Sequence, residues 1–166
     1  MHLRAAELSA AELIRALGLA PHPEGGFFRE IFRSPAWVDP QDPRGRRSAL
    51  TAIYFLLAEG QVSRWHAVSS DEVWHVYEGE PLELSLATPS VDAIDRIRLG
   101  STDRGLRPVH VVPAGWWQTA RPLGDYALCG CTVAPGFDFA DFRFLSEDRP
   151  ATGRLRENAP DLVRWL

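Results

Sequence analysis

The feature that most restricts the fold of this chain is a series of short apolar and aromatic segments separated by turn residues. Each segment is rich in aromatic and β-branched residues, and Gly, Pro, Ser or Asp interrupts the series at short intervals. The segments are Phe27–Phe32, Ala49–Leu57, Val62–Val68, Glu72–Tyr77, Leu82–Ala87, Val91–Leu99, Val109–Val112, Trp116–Ala120 and Tyr126–Val133. Many short strands with almost no helix between them predict an all-β sandwich or barrel.

Helical patterns occur near the two ends of the chain. Ser9 and Glu12 form a capping-box pattern, the apolar residues that follow lie on one stripe, and Gly18 stops the pattern. This predicts a short helix over about 9–18. The tail Asn158–Leu166 predicts a further short helix or turn.

Length and composition predict one domain over 1–166, with the barrel at about 22–144 and a tail at 145–166. The chain has 166 residues, of which 45% are hydrophobic and 24% charged, which suits a single globular domain. A net charge of −4 provides no positive field, so we expect neither nucleic acid nor membrane as a partner. No apolar run approaches the roughly 20 residues that span a bilayer.

The cysteines and the N-terminus predict a cytoplasmic location. Cys129 and Cys131 are separated by one residue, and a disulfide across so short a gap is badly strained. We therefore expect reduced thiols, as in the cytosol. The first residues are charged and amphipathic, and they lack the continuous apolar segment of a signal peptide.

The segment Ser63–Gly79 places several side chains that can act as acids, bases or metal ligands on two consecutive strands. Residues two apart on a strand share a face, so we expect His66 and Glu72 to point into one interior and His75 to point away, unless a bulge resets the register. An imidazole beside a carboxylate perturbs the pKa of both groups, as in acid–base sites. The same groups are also metal ligands, and both interpretations remain open at this point.

The spacing of these residues resembles the two sequence motifs of cupins. The first motif, H-x-H, three or four residues, E, six residues, G, is matched by His66, Glu72 and Gly79, with Val68 in place of the second histidine. The second motif, P-x-G-x-x-H, begins at Pro113, with Gln118 in place of its histidine. Both departures remove metal ligands.

A narrower resemblance covers about His22 to Phe144. The ordered motifs are H-P-E-G-G, F-F-R-E, T-A-I-Y-F-L-L, S-x-W-H-x-V-x-S-D-E-x-W-H-x-Y-x-G, V-P-A-G-W-W-Q and V-A-P-G-F-D-F. Together they resemble the HPEGG-type cupin family, which is largely of uncharacterised function. The resemblance implies a double-stranded β-helix (jelly-roll) barrel that is usually a homodimer and is similar in shape to sugar-nucleotide 3,5-epimerases. In those epimerases a histidine of the first-motif strand acts as a base without metal, and the matching residue is His66.

These patterns predict a small-molecule site with His66 as general base and Glu72 as the group that orients it. The expected ligand-binding residues are Glu30, Tyr54, His75, Trp116, Gln118 and Cys131. Glu30 follows the H-P-E-G-G loop, which we interpret as a shaped loop because of its Pro and paired Gly, and in which Glu24 receives a backbone hydrogen bond. Tyr54 is the polar-tipped residue of a buried strand, and Trp116 shares a face with Gln118.

The predicted function is metal-independent, isomerase- or epimerase-like proton transfer on a sugar-type or carbonyl-bearing metabolite. No cofactor is expected. One alternative is a metal-dependent cupin enzyme that holds a divalent metal with His66, Glu72 and Gln118. The other is a non-catalytic small-molecule binding protein.

Overall fold

The computed structural model describes residues 8–166. Helix α1 is Ala10–Leu17. Ser9 and Glu12 form the predicted capping box, because the Ser9 hydroxyl accepts the Glu12 N–H and the Glu12 carboxylate accepts the Ser9 N–H. Gly18 ends the helix with φ of 64°, a left-handed conformation in which glycine carries no steric cost. The predicted N-terminal helix is therefore confirmed.

The rest of the chain is mainly strand. In chain order the strands are β1 (Ala20–Pro21), β2 (Phe27–Arg33), β3 (Trp37–Val38), β4 (Arg47–Ser48), β5 (Thr51–Ala58), β6 (Ser63–Val68), β7 (Asp71–Gly79), β8 (Leu82–Ala87), β9 (Ile94–Leu99), β10 (Val109–Val112), β11 (Trp117–Pro122), β12 (Tyr126–Ala134) and β13 (Phe142–Phe144). Every predicted segment overlaps one of the longer strands, with boundaries that differ by a few residues. Sequence analysis missed the short strands β1, β3, β4 and β13, because two or three residues are too few to show an alternating pattern.

Two antiparallel sheets face each other and form the predicted jelly roll. One has the order β1-β2-β5-β12-β7-β10, and the other has the order β13-β6-β11-β8-β9. Strands β5, β6, β7 and β8 alternate between the two sheets. The consecutive strands β6 and β7 therefore lie in opposite sheets and carry residues of the segment Ser63–Gly79 into both walls of the barrel.

The interior between the sheets contains a large apolar cluster. Phe55, Trp74, Leu84, Leu86 and Cys129 belong to one buried cluster there. Such burial contributes roughly 1.5–3 kcal/mol for each large apolar side chain. Phe55 belongs to this cluster and also lines the cavity of the site, so the apolar packing supports the site directly.

The helices cover the outer faces of the two sheets. Helix α1 packs Leu13 against Leu56 and Leu128 of the first sheet. Helix α2 (Arg149–Asn158) and the 3₁₀ helix Pro160–Trp165 cover the second sheet, which confirms the predicted C-terminal helix or turn. Three further 3₁₀ helices are Thr102–Arg104, Phe139–Asp141 and Leu145–Glu147. Within residues 8–166, no helix combines the length and the hydropathy that crossing a membrane requires.

Candidate functional site

A cavity of about 270 Å³ lies between the two sheets. Its innermost polar groups are His22, Glu24, His66, Glu72 and Cys131, and aromatic and aliphatic side chains form its walls. The wall and rim residues are Phe28, Glu30, Arg33, Thr51, Ile53, Phe55, Val68, Val133, Phe137, Asp138 and Phe139. The arrangement of apolar walls with a few convergent polar groups is typical of small-molecule sites.

His66 lies on β6 with 2% of its surface exposed. Its Nδ1 is 2.7 Å from the carbonyl oxygen of Arg64. A carbonyl oxygen only accepts, so Nδ1 carries the proton and the neutral ring has its lone pair on Nε2. Burial lowers the pKa of His66 although the nearby Glu72 raises it, and the ring is therefore neutral near neutral pH. The face of the ring stacks on Phe142, with ring centres 5.1 Å apart.

The carboxyl group in contact with His66 is that of Glu24. Its Oε2 is 3.3 Å from His66 Nε2, and its Oε1 accepts a hydrogen bond of 2.7 Å from the Ser63 hydroxyl. Burial raises the pKa of Glu24, against the smaller opposing effects of His22, Ser63 and Arg64. A protonated Glu24 donates to the free lone pair of His66. When Glu24 is protonated, one proton between the two side chains therefore satisfies both groups.

The H-P-E-G-G loop brings Glu24 to this position by docking on β6. The Arg64 N–H donates to the Glu24 carbonyl oxygen at 2.8 Å, and the Arg64 side chain donates to the Pro23 carbonyl. Gly25 has φ of +115°, and a Cβ at this position would overlap with the carbonyl oxygen of Val62. The loop can approach β6 so closely because residue 25 is glycine.

His22 lies on the same loop and faces the cavity without sharing the proton of Glu24. Its Nδ1 is 3.2 Å from the backbone N–H of Glu24, which donates to it. The 3.6 Å separation of this nitrogen from Glu24 Oε2 is therefore not an ion pair, because Nδ1 is an acceptor. Burial lowers the pKa of His22, and its ring edge packs against Phe28.

Glu72 lies on β7 and has its own set of donors. Gln118 Nε2 donates to Glu72 Oε2 at 2.6 Å, and the Cys131 thiol also donates to this carboxylate. The amide of Gln118 has a fixed orientation, because its Oε1 accepts the indole N–H of Trp74 at 2.8 Å. Burial raises the pKa of Glu72, and burial also raises the pKa of the Cys131 thiol well above its ordinary value.

The rim of the cavity carries a charged pair held by a β-bulge in β2. The register of β2 against β5 shifts between Glu30 and Phe32, so both Glu30 and Arg33 line the cavity. Arg33 donates to both carboxylate oxygens of Glu30 at 2.9 and 2.7 Å. It also donates to the Phe137 carbonyl at 3.2 Å.

The structure brings some of the predicted site residues together and places others elsewhere. Glu30, His66, Glu72 and Cys131 line the cavity. Gln118 does not line it, but it holds Glu72 from behind. The contact expected between Glu72 and His66 is made by Glu24 instead, since the docked loop inserts Glu24 beside the imidazole.

Tyr54, His75 and Trp116 lie outside the cavity. Tyr54 packs on the outer face of the sheet near α1, because it alternates with the inward-facing Ile53 and Phe55. His75 is on the outer face of β7, where it stacks on Tyr77. Trp116 packs against the apolar cluster between the sheets and does not line the cavity. These positions correct the expectation that the three side chains contact a ligand in this cavity.

Comparison with known proteins identifies the family. The sequence profile of the family described as Cupin superfamily (DUF985) matches residues 11–145. The chain belongs to this cupin family. This cupin is 27% identical over 153 residues to the uncharacterized protein YML079W of Saccharomyces cerevisiae, covering 82% of the chain and 75% of the yeast protein.

Two solved structures resemble this cupin over nearly its whole length. A hypothetical protein from Leishmania major is 31% identical with a TM-score of 0.80, covering 95% of this chain and 97% of the other. Protein SO0799 from Shewanella oneidensis is 33% identical with a TM-score of 0.80, covering 96% and 98%. The names of these relatives state no activity.

The set His66, Glu72 and Gln118 does not fit a metal ion in this cupin. The amide oxygen of Gln118 faces Trp74, so the amide presents its N–H to Glu72, and an N–H cannot ligate a metal. Within residues 8–166, no group of three or more His, Cys, Asp or Glu side chains is arranged to hold a metal ion. We therefore derive no step through a metal at these residues.

Sequence analysis missed Glu24, His22, Arg33 and the phenylalanines of the rim. The signal for the first two was a histidine and a glutamate directly before paired glycines. We interpreted that motif as backbone shape alone, because nothing local shows which distant strand the loop contacts. The bulge that turns Arg33 inward has no local signal in the sequence.

Proposed function

We propose that this cupin binds a small, carbonyl-bearing or sugar-type molecule in the cavity and catalyses proton transfer on it, as an isomerase or epimerase does. The observation that carries this proposal is the neutral imidazole of His66, buried beside the carboxyl groups of Glu24 and Glu72 at the inner end of the cavity. A neutral histidine is a suitable final acceptor for a proton removed beside a carbonyl group.

The size of the cavity favours a molecule with a single ring. Its volume of about 270 Å³ is close to the lower end of the roughly 300–1,000 Å³ range of small-molecule sites. Phe28, Phe137 and Phe139 in its walls offer flat apolar surfaces to the face of a sugar-like ring. A nucleotide-linked sugar exceeds this volume.

The charges at the rim favour a ligand without negative charge. Arg33 is engaged by both carboxylate oxygens of Glu30 and by a backbone carbonyl, and Asp138 adds a second carboxylate to the rim. The rim therefore carries more negative than positive charge. An unphosphorylated molecule suits it better than a phosphate ester.

The experiment that tests the proposal is deuterium incorporation from D₂O into small unphosphorylated aldoses and ketoses, followed by mass spectrometry. Wild-type protein should accelerate the exchange of the hydrogen beside the carbonyl, and H66Q should lower this rate by about 10²–10⁴-fold. Binding without exchange would support the non-catalytic alternative. If the protein neither binds these sugars nor accelerates their exchange, the proposal is refuted.

We further propose that the protein is a homodimer that pairs through the outer face of the first sheet. Tyr77, Val109 and Val111 are exposed by 54%, 44% and 48%, and the strand register places Val109 opposite His75 on this face. An exposed apolar surface of this kind is typical of an interface. The replacement V109K should lower the mass measured by light scattering to that of a monomer, whereas T102K in an exposed turn should not. An unchanged mass for V109K would exclude this face.

We also propose that the protein is cytoplasmic and that it consists of a single domain. Both cysteines are buried free thiols, which is compatible with a reducing compartment. Fractionation of cells and limited proteolysis of the purified protein would test the two proposals.

A further inference from the structure

His66 has no ring nitrogen free to meet a molecule in the cavity. Nδ1 donates to the Arg64 carbonyl at 2.7 Å, and Nε2 is 3.3 Å from Glu24 Oε2. A base must be within hydrogen-bond reach of the proton that it removes. A second group must therefore carry the proton between the bound molecule and the imidazole.

We propose that Glu24, on the loop before β2, is the catalytic residue that exchanges a proton with the bound molecule, and that His66 is the positioning residue that stores the proton behind it. This inference rests on the proposed function. It assigns to the H-P-E-G-G loop a chemical role in addition to its shape.

Two contacts of its carboxyl group and one of its backbone position Glu24 for this role. Its Oε1 accepts from the Ser63 hydroxyl at 2.7 Å, its Oε2 faces His66, and its backbone carbonyl accepts the Arg64 N–H at 2.8 Å. The side chain lines the cavity although only 8% of its surface is exposed. A carboxyl group fixed in this way can receive a proton without first reorganising.

Glu72 is less suited to the same role, because other donors already satisfy it. Gln118 and the Cys131 thiol both donate to its carboxylate. These hydrogen bonds favour the charged form and hold the group toward the wall of the barrel. Glu72 therefore acts on the pair electrostatically, because in its charged form it favours a protonated His66.

The other groups around the pair do not compete for its proton. His22 Nδ1 accepts the backbone N–H of Glu24, and the guanidinium group of Arg64 donates to the Pro23 carbonyl. The Cys131 thiol retains its proton, because burial and Glu72 both oppose its ionisation. The shared proton is left to Glu24 and His66.

Glu24 and His66 together supply every proton that the reaction step needs. The proton between Glu24 and His66 moves to Nε2, which leaves a Glu24 carboxylate and an imidazolium. The carboxylate takes the proton from the carbon beside the carbonyl. The C–H bond breaks, an O–H bond forms on Glu24, and the electron pair moves to the carbonyl oxygen as an enolate. Glu24 then returns the proton to the same carbon and the carbonyl re-forms, and the proton held on His66 Nε2 moves back to Glu24, which restores both residues.

The pairing can be tested without a known substrate, by nitrogen-15 NMR of protein labelled in its histidines. E24Q is a matched variant, since its amide can accept from Ser63 and donate to His66 Nε2 as a protonated carboxyl does. In wild-type protein the Nε2 resonance of His66 should show an inflection when Glu24 loses its proton, at a pH above the ordinary carboxyl value of 4.5. E24Q should lack that inflection, and E72Q should keep it. An inflection that survives in E24Q would overturn the pairing.

The transfer itself is tested with dihydroxyacetone as the probe, by its deuterium exchange in D₂O. Wild-type protein should accelerate the exchange, and E24Q should lower the rate by about 10²-fold or more. The exchange rate of E72Q should fall less than that of E24Q. A wild-type rate in E24Q would overturn the role of Glu24 and leave the proposed function intact. If wild-type protein does not accelerate the exchange, the role of Glu24 and the proposed function are both contradicted for hydroxyketones. The NMR titration would still decide whether Glu24 and His66 share a proton.

Discussion

Replacement of Gly25 by alanine should destabilise the protein far more than the same change at Gly45. Gly25 has φ of +115°, and a Cβ there would overlap with the Val62 carbonyl oxygen. Gly45 has φ of +74°, and a Cβ there would meet nothing within 4 Å. G45A is therefore a matched control that carries a conformational cost without a steric one.

The contacts of the loop give the expected magnitude. Alanine with positive φ costs about 1–2 kcal/mol, which is the whole effect expected for G45A. G25A carries at least this cost, and its loop must also move away from β6. That movement breaks the hydrogen bond from the Arg64 N–H to Glu24 and the one from Ser63 to Glu24, at about 1 kcal/mol each. We expect a loss of about 4 kcal/mol or more for G25A, which is roughly 10 °C in Tm for a protein of this size.

Urea unfolding and amide hydrogen exchange are the appropriate measurements. G25A should have the lower midpoint, and its Arg64 amide should exchange faster than in wild-type protein or in G45A. If G25A is within about 1 kcal/mol of G45A and the Arg64 amide keeps its protection, then close docking on β6 does not hold the loop, and the placement of Glu24 is wrong.

Three further predictions concern stability. Q118L should cost about 2–5 kcal/mol, because it leaves the Trp74 N–H and the Glu72 carboxylate without their partner; a loss below about 1 kcal/mol in urea unfolding would contradict this. Burial raises the folded-state pKa of Glu24 above its ordinary value of 4.5, so the stability it contributes is fully present below that value and is lost as pH rises through the folded pKa. E24Q should therefore gain stability relative to wild-type protein as the pH rises above 4.5, and a difference that stays constant with pH would refute the shift. D141A should cost about 3 kcal/mol, because Arg47 donates to both oxygens of this buried carboxylate; denaturation at high salt should show little change in this loss.

The strands and the terminal helices were predictable because their signals are local. Alternating aromatic and β-branched residues predicted the longer strands, and Ser9, Glu12 and Gly18 predicted the limits of α1. The rule that residues two apart share a face placed His66 and Glu72 toward one interior, as the cavity lining shows. The same rule placed His75 on the outer face.

The partners of these residues were not predictable from local patterns. Tyr54 was expected in the site for its polar tip, yet it lies on the outer face because strand alternation is stricter than the preference of a tyrosine for a pocket. Trp116 and Gln118 share a face as expected, but that face looks onto the apolar cluster and the back of Glu72. The position of a cavity between two sheets depends on how all the side chains of the interior pack together.

The sequence by itself determined the order of strands and turns, the capped N-terminal helix and the side of the strand on which His66 lies. These properties follow from backbone geometry and from side chains a few residues apart. The tertiary structure alone decided that the Glu24 carboxyl group lies against His66 and that the bulge in β2 turns Arg33 toward the cavity. The physical reason is that both depend on contacts between distant segments, which form when the loop and the sheets pack together and which no neighbouring residue specifies.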